Sequence, residues 1–491
     1  MLRPLSKKDS PSWVMSLVPI LVLVALMFCV IRIFGPDALN GASQVALVLA
    51  SGFTVAVSML VYGCPWSRIE EAINTNIKTI GSAVVILLLI GAIGGSWMVS
   101  GIVPTLICYG LKVISPSIFL FATCLICALV SLMTGSSWTT VATIGVALIA
   151  IGTTLGYSPA MSAGAIISGA YFGDKISPLS DTTVLASSAA ETPLFTHIRY
   201  MLVTTIPSFT ITLIVFLVMS LCHTSSSGIQ IAQVNDALRG AFNISPWLLI
   251  VPVITAFLIA KKLPAMLTLL CASIMAGIAA LIAQPELIMQ IAGGASGKMD
   301  FLSGARGLLI TFYDSTSVQT GSDMVDSLVQ TRGMNGMLAT VFLNICAATF
   351  GGTLIGSGMV KSMTEKLNSY ISSRTSLVGA TVGTGFLSNI IVGDQFLSII
   401  LTTSIYKELY RKKGFEGRLL SRSTEDSATV TSVLIPWNSC GMTQSTVLHV
   451  ATLDYLPFCF FNIISPLMSI TVAALGYKII HKDPEAATEE L

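Results

Sequence analysis

Charge is what this sequence has least of. Lys, Arg, Asp and Glu make up 10% of its 491 residues, against roughly 25% in an ordinary soluble domain. With 53% hydrophobic residues and a mean hydropathy of +0.83, so few charges cannot hydrate the surface of a soluble fold of this length. The main solvent is therefore lipid. Neither sign of charge is in excess, since 26 basic and 24 acidic residues leave a net charge of +2. That excludes a basic field for nucleic acid and an acidic field for a basic partner. Histidine is also scarce. His197, His223, His449 and His481 show neither an H-E-x-x-H motif nor any paired spacing, so a polytopic membrane enzyme would lack a metal constellation to work with. Of ten cysteines only Cys124 and Cys127 form a C-x-x-C, inside apolar sequence, where they read as inert membrane thiols rather than a redox or metal pair.

What is abundant is apolar sequence. The run 13–33 follows Arg3, Lys7 and Lys8 like a signal peptide, but it is long enough to span, lacks a small-x-small cleavage site and is followed at once by another run. It is expected to be the first transmembrane helix. Further runs of spanning length cover 41–63, 79–100, 200–221, 244–260, 264–283, 336–358 and 455–475. Four other apolar segments, 117–155, 160–196, 375–406 and 423–453, are interrupted midway by Gly, Ser, Thr, Asn, Pro or acidic residues. Irregular backbone at membrane depth survives only where protein buries it or where it lines an aqueous cavity, so such breaks point to a substrate site.

Cytoplasmic loops of membrane proteins are enriched in Lys and Arg. If 117–155 and 375–406 are re-entrant hairpins while 160–196 and 423–453 are broken helices that span, 19 of the 26 basic residues fall on the cytoplasmic side. The others are Lys112, Arg239, Lys298, Arg306 and Arg332 outside, and Arg32 and Lys175 within spans. The pattern predicts an all-α polytopic protein of about ten spans and two hairpins, with both termini cytoplasmic. The order span, hairpin, broken span, span then occurs twice, in 79–221 and in 336–475, with opposite starting sides. The tip Thr134-Gly-Ser-Ser-Trp-Thr-Thr140 answers Ser388-Asn-Ile-Ile-Val-Gly-Asp-Gln395, and Asp174-Lys-Ile-Ser-Pro-Leu-Ser-Asp-Thr-Thr183 answers Glu425-Asp-Ser-Ala-Thr-Val-Thr431 with Pro436-Trp-Asn-Ser-Cys-Gly441. Inverted repeats with broken helices are the architecture of secondary transporters, whose sites lie near the midplane between repeats. On this division 1–78 are scaffold helices, 222–335 a linker with two spans and a long outer loop, and 476–491 a cytoplasmic tail.

The ionisable residues expected at membrane depth are Asp174, Lys175, Asp181, Asp394, Glu425 and Asp426. Each costs roughly 2.5–3.5 kcal/mol to place there unless it has a partner or a task. Lys175 is expected to form a structural ion pair with its neighbour Asp174. The remaining carboxylates have no intramembrane cation, a surplus that favours a cationic substrate, with one carboxylate alternately holding a proton and Na⁺. Oxygen ligands for Na⁺ are at hand in the hydroxyls of Ser136, Ser137, Thr139, Thr182, Thr183, Thr429 and Thr431 and the amides of Asn389 and Asn438. The alternative is that helix N-termini at the hairpin tips bind a carboxylate substrate, with Na⁺ as coupling ion. The Gly-rich stretch 350–358 lacks the Lys-Ser/Thr of a phosphate loop and reads as close helix packing.

The stretches Thr134-Gly-Ser-Ser-Trp-Thr-Thr-Val-Ala-Thr-Ile-Gly145, Gly173-Asp-Lys-Ile-Ser-Pro-Leu-Ser-Asp-Thr-Thr183, Gly393-Asp-Gln395, Leu420-Ser-Arg-Ser-Thr-Glu-Asp-Ser-Ala-Thr-Val-Thr-Ser432 and Ile435-Pro-Trp-Asn438 closely resemble the NhaC-type sodium/proton antiporter family, over nearly the whole chain. The resemblance implies a secondary antiporter of a bacterial inner membrane. Its better-known relatives are dimers that move a transport domain against a scaffold. Related exchangers couple Na⁺ and H⁺ to malate and lactate, and some members sit near amino-acid permeases. Where the family often continues Asp-Thr-Thr with Asn-Leu-Ala-Pro, this chain has Val184-Leu-Ala-Ser187, which removes an amide near the site. The expectation is Na⁺/H⁺ exchange with Asp174, Asp181, Asp394 and Asp426 as the cation and proton carboxylates, Na⁺ at those same groups, and no cofactor. Membrane lipid and a small ion or organic substrate are the expected partners.

Overall fold

The computed structural model describes residues 11–34, 41–223, 228–261, 263–293, 300–368 and 371–479. Arg3, Lys7, Lys8, Lys262, Lys298 and Lys482 of the charge count, and 480–491 of the tail, lie outside them. Among the described residues nine helices are long and apolar enough to cross a bilayer. The number rises to eleven if two helix pairs, bent by 90° and 57°, each count as one span.

Helix α1 (Trp13–Phe34) packs on α2 (Ala42–Leu60). The amphipathic α3 (Trp66–Thr79) buries Ile69, Ala72 and Asn76 and leads into α4 (Gly81–Val99) and α5 (Ile102–Val113). The first interrupted segment begins with α6 (Phe119–Thr134), turns at Gly135 and continues through α7 (Ser137–Thr140), a π-helical turn (Val141–Gly145) and α8 (Val146–Thr154). Next come α9 (Pro159–Ile176) and α10 (Asp181–Ala189), two halves of one broken helix, and then α11 (Leu194–Leu221). Ser158 fixes the start of α9 by accepting the Met161 amide at 3.2 Å, with Pro159 in the first turn.

Helices α12 (Gly228–Ala241), α13 (Ile250–Ala260) and α14 (Ala265–Ala283) follow, α14 lying against α4. The expected long outer loop at 284–335 is instead largely helical: α15 (Pro285–Ile291), α16 (Phe301–Tyr313) and α17 (Asp323–Val329) occupy it. These helices are too short for a search tuned to membrane spans, and α16 is started by a capping box between Asp300 and Ser303. Between α16 and α17, Thr320 donates its amide and hydroxyl to Asp326 at 2.7 and 2.6 Å, which holds that carboxyl below the ordinary carboxylate range.

The second half runs through α18 (Leu338–Gly356), α19 (Met359–Asn368), α20 (Arg374–Val392), α21 (Gln395–Lys412), α22 (Gly417–Thr424), a second π-helical turn (Glu425–Thr429), α23 (Ser439–Leu448), α24 (Thr452–Tyr455) and α25 (Phe460–Ala474). The sequence of elements from α4 to α11 thus returns from α18 to α25: helix, short helix, two-armed segment, interrupted helix, helix.

Small residues set how closely these helices approach. A Cβ at Gly169 would collide with the carbonyl of Cys124, and one at Gly173 with that of Ala128, so α9 lies backbone to backbone on α6. Ser131 on α6 closes the seam by donating to the Ala170 carbonyl at 2.5 Å. Gly352 and Gly356 bring α18 onto the backbone of α3 in the same way, at Ile73 and Ile69, which is the packing expected for the stretch 350–358. Gly169→Val is expected to lower the stability of the detergent-solubilised protein by about 1–3 kcal/mol, the usual cost of overpacking. Gly379→Ala, which points into open space, should leave the melting temperature unchanged or slightly higher.

Candidate functional site

Both two-armed segments turn in the same way. Gly135 ends α6 at φ 66°, and Gly393 ends α20 at φ 70°, a left-handed conformation that favours glycine. The next residue caps the helix that follows. Ser136 Oγ accepts the Thr139 amide and hydroxyl at 3.2 and 3.1 Å, and Asp394 Oδ1 accepts the Leu397 amide at 3.0 Å. The polar interruptions of the sequence are therefore helix starts inside the protein.

Each tip meets the broken helix of its own half through a carboxylate. At the first, the amide and hydroxyl of Ser137 donate to Asp174 Oδ2 at 3.0 and 2.7 Å. The carboxylate thus takes the place at a helix N-terminus that an anion favours. Asp174 comes from the end of α9, and the chain then breaks at Ser177–Ser180 before α10. Ser180 Oγ shares a hydrogen bond of 2.9 Å with Thr182 and caps the Thr183 amide at 3.4 Å, while the Thr183 hydroxyl donates to the Lys175 carbonyl at 3.0 Å. Asp181, expected at membrane depth, stands exposed at the first position of α10. At the second tip the Ser439 hydroxyl, from the start of α23, donates to Asp394 Oδ2 at 3.1 Å, and the Ser439 amide reaches the Gly393 carbonyl at 2.8 Å. Asn389 donates to the Ala428 carbonyl at 2.7 Å and to the Thr431 hydroxyl at 3.0 Å, and Asn438 donates to the Asn389 carbonyl at 3.2 Å. In this conformation Asn389, Asn438 and Thr431 tie the second tip to its broken helix. The hydroxyl of Thr429 is buried without a hydrogen bond.

The two halves meet at Asp426. Lys175, wholly buried, forms its ion pair with Asp426 and not with the neighbouring Asp174. Adjacent side chains on a helix diverge by about 100°, so Lys175 points away from the hairpin tip that Asp174 serves. Ser465 of α25 accepts from Lys175 Nζ at 2.9 Å, and Thr204 of α11 donates to Asp426 Oδ1 at 3.1 Å. A second cation corrects the sequence reading. Arg422, counted there with the cytoplasmic residues, is fully buried, with Nε 3.8 Å from Asp426 Oδ2 and its guanidinium 4.8 Å from the centroid of Tyr200. The buried carboxylates do have buried counter-ions, therefore, but these gather on one of them. Glu425, one residue before Asp426, is also wholly buried, and neither of its oxygens has a hydrogen-bond partner.

Sequence reasoning missed two residues here. Arg422 follows Lys407, Arg411, Lys412, Lys413 and Arg418, so it reads as the end of a loop. Its i, i+4 spacing to Asp426 was the available signal. Glu425 was recognised as costly but given no role. Trp138 Nε1 and the Tyr171 hydroxyl are further buried polar groups without hydrogen bonds, on α7 and α9, and the sequence reading gave neither a role.

A family model described as the Na⁺/H⁺ antiporter family matches residues 10–191 and 169–477. A protein of Alkalihalophilus pseudofirmus named Na(+)/H(+) antiporter NhaC is 38% identical over 411 residues, 84% of this chain and 86% of the relative. Its namesake in Bacillus subtilis is 34% identical, over 85% of this chain and 89% of the relative. A malate-2H(+)/Na(+)-lactate antiporter, also of Bacillus subtilis, is 35% identical, over 89% and 88%.

Proposed function

The chain belongs to the Na⁺/H⁺ antiporter family, and we propose from that premise that it exchanges Na⁺ for H⁺ at the breaks of its two halves. One observation carries the reading. Among the described residues buried at the breaks, the acids are Asp174, Asp394, Glu425 and Asp426 and the bases are Lys175 and Arg422. Four negative charges against two positive ones leave a deficit that only a bound cation or a proton can make good, because an uncompensated buried ion costs several kcal/mol. Sodium and protons then compete for the same carboxylates, and competition for one site on alternate sides of a membrane is antiport.

In this reading Asp174, Asp394 and Asp426 hold the cation and proton, and Asp181 receives Na⁺ at the exposed start of α10. Hydroxyl oxygens of Ser136, Ser137, Thr139, Thr182, Thr183 and Thr429 complete the coordination. Asn389, Thr431 and Asn438 hold the second tip and release oxygens when it moves. The halves 79–221 and 336–475 are inverted copies, with the site between them and the remaining helices as scaffold. The protein works as a homodimer in the cell inner membrane with both termini in the cytoplasm. Purified protein in proteoliposomes carrying an internal pH dye should dissipate a preset pH gradient when Na⁺ is added outside, and choline should have no effect. No response to Na⁺ would reject the reading.

Arg422 favours a second reading. None of its three side-chain nitrogens makes a hydrogen bond, and nitrogen donors cannot ligate Na⁺, whereas a guanidinium fits a carboxylate. Na⁺-coupled exchange of a small organic acid or amino acid would use it. Counterflow of labelled malate, lactate or amino acids that depends on a Na⁺ gradient would select this reading over simple ion exchange.

A further inference from the structure

The two oxygens of Asp426 are unequally provided for. Oδ1 takes Lys175, Thr204 and Ser465, whereas Oδ2 is buried without a hydrogen bond. A guanidinium stands beside it. Arg422 Nε is 3.8 Å from Oδ2, and none of the three side-chain nitrogens of Arg422 makes a hydrogen bond. A buried guanidinium and carboxylate one helical turn apart close to about 2.7–2.9 Å where nothing prevents it, so something holds these two open. Tyr200 of α11 is placed to do so. The Arg422 guanidinium carbon lies over its ring, 4.8 Å from the centroid, within the reach of a cation–π contact. Arg418, one turn earlier and 5.4 Å from the same ring, has Glu416 as its own partner, so Arg422 is the cation that depends on the ring. One turn along α11, Thr204 donates to Oδ1, so a single face of that helix serves both members of the pair. The ring is itself fixed. Tyr200 is buried, its hydroxyl donates to the Lys478 carbonyl at 2.9 Å, and Ile479 packs on the apolar cluster that contains it. Lys478 adopts φ 53°, a left-handed conformation that costs a residue with a side chain, and the chain accepts that strain where it brings the acceptor to Tyr200.

We propose that Tyr200 is a positioning residue that holds Arg422 off Asp426 and so keeps Oδ2 free for the transported cation. The role deepens the antiport reading above and rests on it. Lys175 already engages Oδ1. Closure of Arg422 onto Oδ2 would give the carboxylate a second full counter-ion and occupy the oxygen through which Na⁺ binds. Held on the ring, the guanidinium stays near enough to offset the buried charge, yet it makes no bond that the entering ion must break. Sodium then meets an oxygen with an open coordination position. Tyr200 does not touch the ion, and its effect passes through Arg422.

The test reconstitutes wild type, Tyr200→Phe and variants with mono-, di- and trifluorinated phenylalanine in place of Tyr200, and measures Na⁺-driven proton flux against Na⁺ concentration. Fluorine drains negative charge from the ring face with little change of shape, so the hold on Arg422 weakens step by step while the packing stays. The apparent KM for Na⁺ should remain within about twofold of wild type in Tyr200→Phe and climb with each fluorine, to about tenfold in the trifluoro variant. The flux at saturating Na⁺ and the melting temperature should stay level across the series, which a merely structural role would not produce. In Tyr200→Leu the rise in KM should be larger still, and adding Arg422→Gln should cancel it, because no guanidinium is left to close on Oδ2. A KM that is flat across the fluorinated series overturns the proposal, and so does a rise that persists in the Tyr200→Leu, Arg422→Gln double variant. If Tyr200→Leu does not fold, the fluorinated series decides alone. A wild type without any Na⁺/H⁺ exchange would refute the antiport reading and this role with it, whereas a flat KM in an active wild type refutes the role alone.

Discussion

Asp426→Asn is expected to abolish Na⁺/H⁺ exchange and to destabilise the folded protein by roughly 3–5 kcal/mol, the cost of removing one partner from a buried ion pair. Asn has nearly the shape of Asp, so the loss arises from charge. Lys175 and Arg422 are both fully buried and both face this carboxylate, and the substitution leaves two cations in a low-dielectric interior. Ser465 and Thr204 offer hydroxyl oxygens to the cluster, but neutral dipoles do not replace a negative charge. Adding Lys175→Met to Asp426→Asn removes one orphaned cation, and part of the lost melting temperature should return without any return of flux. If Asp426→Asn melts and transports like wild type, the ion pair has neither the structural nor the functional weight given to it.

Asp174→Ala should reduce sodium flux at least a hundredfold. It also takes away the one acceptor shared by the Ser137 amide and hydroxyl, leaving two buried donors unsatisfied at about 1–3 kcal/mol each. Asp174→Asn separates the two consequences. Its remaining carbonyl oxygen can still receive Ser137, so stability should fall less than in the alanine variant, whereas transport should be lost equally. Thermal melts in detergent and flux in proteoliposomes read the two effects independently. An active Asp174→Asn protein would remove Asp174 from the ion path and leave it as a cap.

These two residues also show how far the sequence could be read. The tips were legible because Gly135-Ser136 and Gly393-Asp394 interrupt long apolar runs, and an interruption at membrane depth is too costly to be accidental. Spans such as α1, α4, α14 and α18 were legible for the complementary reason, since nothing but length and apolarity is needed. The Lys175–Asp426 pair was not, because the partners are 251 residues apart and only the packing of α9 against the second half joins them. Adjacency in the chain suggested Asp174 instead, and helix geometry overruled it. Arg422 escaped because a charge count assigns a residue by its neighbours in sequence, whereas α22 carries it from a basic surface segment into the interior within two turns. The helices α15 to α17 escaped because their apolar faces are shorter than a membrane search demands.

The seam between α6 and α9 has a bearing on ion selectivity. Gly169 and Gly173 leave no slack between the two backbones, and the tip that follows α6 is bonded to Asp174 at the end of α9. The two elements that meet at Asp174 are thus cut from one block. A block of this kind turns or slides whole, so a sodium ion held against it would keep the same oxygen neighbours from loading to discharge, and discrimination between ions of different radius would be the same on the two faces of the membrane.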